Sequence, residues 1–166
     1  SSVDKFYNRA TVDIYSIVQQ TIFASFNIIP SLSRILLNRS DFNCSGRAYH
    51  NVFMTAYYPD YSSDDEFDYL DARMKKLRNL QDFLDGRTEF VTVSMDLDSG
   101  IPYGTKLCIP ELNAKFNRQI PLQARDKSQY GDVETKSPDF SHVDICVRTE
   151  EDTYDNSVNG LVTLYV

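Results

Sequence analysis

The chain is 166 residues long, 42 % hydrophobic and 13 % aromatic, with 17 Lys and Arg against 24 Asp and Glu and a net charge of −7. Such a composition describes one ordered domain with room for a core, and it excludes a disordered chain. The acidic balance argues against nucleic acid and anionic membrane surfaces as partners, and no apolar run is long enough to span a bilayer.

The sequence starts at Ser1 with no methionine, which suggests a removed leader or a trimmed chain. Ser2 to Asn27 reads as an amphipathic helix, with Phe6, Ala10, Ile14, Ile17, Val18, Ile22 and Phe26 recurring at spacings of three and four. Pro30 breaks the pattern, and Ser31 to Asn38 reads as a shorter second helix. Together they predict a helical hairpin packed on the downstream β domain, or used to form homo-oligomers. Asn38-Arg39-Ser40 and Asn43-Cys44-Ser45 are both N-glycosylation sequons. A polar connector over Ser40 to His50 marks a domain boundary, giving a helical extension over 1–50 and a β domain over 51–166.

Six apolar, β-branched segments bounded by Gly, Pro and Asp then predict strands near Phe53–Tyr58, Phe90–Met95, Lys106–Ile109, Ile120–Arg125, His142–Val147 and Leu161–Val166. The acidic run Asp60 to Asp68 reads as a solvated loop. Leu70 to Asp85 reads as a helix closed by Gly86, and Glu111 to Asn117 as a helical turn. Three cysteines leave the pairing open: Cys108 and Cys146 read as buried thiols, while secretion would allow one bridge plus a leftover thiol, with Cys44 free to link two chains. No phosphate loop, Cys-x-x-Cys pair or zinc helix is present, so no cofactor and no metal are expected.

The order Thr55-Ala56-Tyr57, Met95-Asp96, Ile101-Pro102-Tyr103-Gly104-Thr105, Arg125-Asp126 and Val143-Asp144-Ile145 resembles the three-aspartate (3D) domain. That family folds as a six-stranded double-psi β-barrel and occurs in bacterial cell-wall lytic enzymes of the lytic transglycosylase A type. The His142-Val143-Asp144 triplet is also similar to the His-Phe-Asp motif of expansins, which share the barrel. The resemblance covers roughly Val52 to Val166. It implies a mainly β fold, a double-psi barrel carrying the N-terminal hairpin and one inserted helix. By the same resemblance Asp144 is the catalytic acid, Asp126 a second catalytic carboxylate, and Tyr57, Asp96, Tyr103 and His142 line the substrate groove. The family's Thr-Gly-Gly-Ala-Ile-Lys-Gly run after the second aspartate is replaced here by Lys127-Ser128-Gln129-Tyr130-Gly131. Asp96 also fits a structural role, capping backbone N–H groups in the adjoining turn.

Glycosidic cleavage needs a carboxyl group that stays protonated near neutrality, which burial and a second carboxylate favour. With no tryptophan, sugar stacking would fall to Tyr57, Tyr58, Tyr103 or Tyr130. The sequence therefore predicts a secreted, cell-wall polysaccharide-active protein, a lytic transglycosylase-like enzyme acting on peptidoglycan or a related glycan. The alternative is a non-catalytic glycan-binding, structural or defence protein on the same barrel.

Overall fold

Alternation along the strands decides the architecture. Val52 and Met54 are buried while Phe53 between them is exposed, and Val91, Val93, Met95, Val143, Ile145, Val162 and Leu164 complete the same apolar side. The computed structural model describes residues 42–128 and 137–166. Its elements are β1 (Ala48–Tyr57), α1 (Leu80–Leu84), β2 (Val91–Met95), β3 (Thr105–Leu107), α2 (Pro110–Phe116), β4 (Leu122–Lys127), β5 (His142–Cys146) and β6 (Gly160–Tyr165). All six expected strands are present, the first beginning at Ala48, inside the segment expected to be connector.

The strands form one mixed sheet in the order β3-β4-β2-β5-β1-β6. β1 runs parallel to β5 and β2 parallel to β4, and the other neighbours are antiparallel. The sheet curls into a half-barrel whose two edge strands meet at one point, where Cys108 and Tyr165 exchange backbone hydrogen bonds of 3.0 and 2.9 Å. β3, with three residues, is too short to pair along β6, so contact there goes no further than this bridge. Beside it, Cys44 and Cys108 form a disulfide with a Cα–Cα distance of 5.5 Å. Cys108 is therefore no free thiol and Cys44 links no second chain; the leftover thiol is Cys146, buried in β5. The bridge at Tyr165 puts Cys108 beside the segment that leads into β1.

The helix expected over Leu70 to Asp85 forms only at its end, as α1. The buried Asp71 carboxylate captures the N–H groups of Arg73 (2.8 Å) and Lys75 (2.9 Å), Met74 turns at φ 59°, and Leu70 pairs with Lys76. A side chain that takes up backbone donors in this way competes with the helix. α1 then starts at an Asn79–Asp82 capping box and stops at Gly86 (φ 74°), where the Gly86 and Arg87 N–H groups reach the Phe83 and Asp82 carbonyls. Leu77 and Leu80 are buried, and Phe83 and Leu84 pack on the core from the same segment. α2 buries Leu112 and Asn113, whose Oδ1 accepts the Ile120 N–H at 2.9 Å, so the short helix fixes the entry to β4. The N-terminal hairpin and its oligomer reading, the Asn38 sequon and Tyr130 lie outside the described residues.

Candidate functional site

Residues opposite one another on neighbouring strands point to the same side of a sheet. Thr55 on β1 stands opposite Asp144 on β5, Asp144 opposite Ser94 on β2, and Ser94 opposite Asp126 on β4. Four polar residues thus form one row across four adjacent strands, on the side away from the apolar core. Asp126 joins it through a register shift: Val93 pairs with Ala124, but Ser94 pairs with Asp126, so Arg125 is the extra residue. Without that bulge, Asp126 would follow Leu122 and Ala124 to the core side. Two strand spacings, about 10 Å, separate the Asp126 and Asp144 backbones.

The row has two centres. At β5, the Thr55 hydroxyl donates to Asp144 Oδ1, and His142 Nε2 lies 2.8 Å from Thr55 Oγ1 and 3.0 Å from Asp144 Oδ1. A hydrogen on Nε2 serves both oxygens and leaves Asp144 an acceptor. At β4, burial pushes the Asp126 carboxyl up to about 6; the Tyr57 hydroxyl and the Lys127 N–H (2.9 Å) oppose this, and Asp71 adds to it. The Tyr57 hydroxyl is buried and faces Asp126 without a hydrogen bond of full geometry. Burial first, then Cys146 and the carboxylates of Asp126 and Asp144, drive Tyr57 well above the usual tyrosine range, so it keeps its proton. Burial likewise drives the Cys146 thiol far up, which makes it a poor nucleophile.

The other expected groove residues lie elsewhere. Asp96 follows the end of β2, and its side chain caps no backbone N–H; Oδ2 is buried without a partner, while its carbonyl accepts the Ser99 hydroxyl at 2.6 Å. The expected capping role is thus filled by the backbone of Asp96 and the hydroxyl of Ser99. Tyr103 is not in the row: its hydroxyl donates to Asp71 at 2.5 Å, in a separate cleft beyond β4. Tyr58 is exposed beyond the end of β1.

Sequence reasoning missed three residues here. Asp71, expected within a helix, is a third buried carboxylate that bears electrostatically on Asp126. Ser94 carries no signal that sets it apart from an ordinary strand residue. Phe53 is 59 % exposed and stands opposite both His142 and Leu161, itself 58 % exposed, giving an apolar step beside the row. Its outward alternation with Thr55 was the available signal.

No protein-family model matches this chain, and none of the curated proteins does. Among the described residues, no three His, Cys, Asp or Glu converge to hold a metal ion, and no helix is long and apolar enough to cross a membrane. What the row offers chemically is a carboxyl that exchanges its proton near pH 6, a hydrogen-bonded carboxylate two strands away, and a protonated phenol from β1 that faces the first carboxyl.

Proposed function

We propose that this chain is a polysaccharide-active protein of the double-psi β-barrel kind, working outside the cell as a lytic transglycosylase-like enzyme on a cell-wall glycan. The observation that carries the reading is the Asp126–Ser94–Asp144–Thr55 row with Asp126 held up at about 6. A carboxyl at that value is protonated often enough to donate and basic enough to take a proton back. Asp126 gives its proton to the bridging oxygen as the bond to the anomeric carbon breaks. The sugar's own primary hydroxyl then attacks that carbon and returns its proton to Asp126, closing an anhydro ring without water. Asp144, held by Thr55 and His142, faces the positive charge that builds between the two steps. Relative to the roles implied by resemblance, the acid moves from Asp144 to Asp126, because the Asp126 carboxyl is held up at about 6. The Cys44–Cys108 disulfide fits an oxidising compartment.

One observation favours the non-catalytic alternative. Asp126 and Asp144 are 8 % and 6 % exposed, so a glycan reaches them only past the rim, whereas Phe53 and Leu161 offer an open apolar face for a sugar ring. Product analysis on peptidoglycan, chitin and cellulose separates the readings. Wild type should release anhydro-sugars, and Asp126→Asn and Asp144→Asn should each lower release by about a hundredfold or more while binding persists. Binding without release establishes the alternative, and neither binding nor release refutes both.

A further inference from the structure

Beyond β4, on the side of Arg125, lies a cleft of about 320 Å³ lined by Arg73, Lys75, Lys76, Arg78, Arg125, Phe90 and Tyr103. Five of the chain's 17 basic residues converge there, in a protein whose net charge is −7, and no acidic side chain is in the lining. Among the described residues, none of the five makes an ion pair with a carboxylate. Like charges gathered this closely repel, and with the nearby Asp71 carboxylate already taken up by Tyr103 and two backbone N–H groups, an entering anion would relieve that repulsion.

The cluster is also built rather than incidental. The Arg73 guanidinium lies over the Tyr103 ring at 4.2 Å, and that of Arg125 over Phe90 at 4.3 Å and Tyr103 at 5.4 Å. Stacking fixes the plane of a guanidinium and leaves its edge donors for another partner. Arg125 Nε is held by Gln123 Oε1 at 2.8 Å, and Tyr103 is anchored by Asp71. Asp71 also folds the Arg73–Lys75 turn through two backbone N–H groups, and the Ala72 N–H bonds the Arg125 carbonyl at 3.0 Å, locking the turn to β4. The device that cancels the expected helix is thus the one that assembles the basic wall.

We propose that this cleft is a binding site for an oxyanionic monoester, a phosphate or sulfate group carried on a ligand of about monosaccharide size. Two planar guanidiniums flanked by lysines suit a three-oxygen anionic head, which accepts from several donors at once. The volume holds about ten waters' worth of ligand, enough for a sugar ester and too small for a folded macromolecule. A net charge of −7 disfavours nucleic acid, which needs an extended basic track rather than a single cleft. The site stands independently of the Asp126–Asp144 chemistry.

The test is calorimetric titration of the full chain with glucose 6-phosphate, glucose 6-sulfate, inorganic phosphate and glucose. Both esters should bind and glucose should not. Equal affinity for inorganic phosphate would assign the recognition to the head group alone, and tighter binding of the esters would include the sugar. Phosphate-ester binding should weaken below about pH 6 as the second proton adds, and sulfate-ester binding should not. Arg73→Gln and Arg125→Gln should each weaken binding roughly tenfold or more, while Arg148→Gln, a surface charge elsewhere, should leave it unchanged. Melting curves confirm that each variant is folded, and Lys76→Gln offers a milder loss if Arg125→Gln is not. Absence of binding by every anion, or equal weakening by Arg148→Gln, would overturn the proposal.

Discussion

Replacing Asp126 with asparagine keeps the side-chain volume and the oxygen that accepts the Lys127 N–H at 2.9 Å, but removes the ionisable group. Burial holds this carboxyl at about 6 in the folded chain, against 3.8 for an unburied one. Between those values the folded chain binds more protons than the unfolded chain, so stability falls as pH rises through the window. The favourable contribution is complete below the lower value and gone above the upper one. At about 1.36 kcal/mol per pH unit, the whole difference is roughly 3 kcal/mol, an upper figure since water reaching the group would shrink it. Asp126→Asn carries no such dependence. Its stability relative to wild type should therefore climb by up to roughly 3 kcal/mol between about pH 4 and pH 7 and level off above. Urea unfolding of both proteins across that range measures the gap, and its slope rather than its absolute level is the readout. A gap that is flat with pH, or that widens towards acid, would refute the account of Asp126 as a carboxyl strained by burial.

Other outcomes rest on single contacts. Converting both Cys44 and Cys108 to serine opens a loop with a sequence separation of 64, and chain entropy puts the loss at about 4 kcal/mol; an unchanged melting temperature would contradict this. Gly46→Ala drives a Cβ into the Val166 carbonyl oxygen at φ 108°, and should cost about 2 kcal/mol or more, read as a lower urea midpoint. Cys146 should resist alkylation at pH 8 in the native protein and react once urea unfolds it; rapid native labelling would show that the β5 thiol is reachable.

The strands are legible because each carries its own alternation of apolar and polar residues, a local signal that survives into the sheet. The helix expected over Leu70 to Asp85 forms only over Leu80–Leu84, although Leu77, Leu80, Phe83 and Leu84 recur at helical spacing. Nothing local says that Asp71 turns inward and consumes two N–H groups. Asp126 and Asp144 can be picked out from the sequence as carboxylates next to apolar strand residues, although both lie within their strands and not at the ends. That they share a row with Ser94 depends on the bulge at Arg125, a property of pairing between distant strands that no single stretch encodes. The basic cleft is equally hidden: its five cations come from two segments nearly fifty residues apart in a chain whose overall charge points the other way. The cysteine pairing turns on the meeting of β3 and β6, also a long-range event.

The parallel pairing of β1 with β5 sets a timetable for biosynthesis. Phe53 must wait for His142, and Val52 for Val162, before either edge of β1 is covered. Through most of synthesis β1 is an uncovered template for foreign strands. The contact that brings Cys108 towards Cys44 comes later still, because Tyr165 lies in β6, the last strand to be made. By the time Cys146 emerges, it enters β5 between β1 and β2 and is shut away from exchange. Burial of Cys146 in β5, rather than order of synthesis, is what lets three cysteines give one outcome.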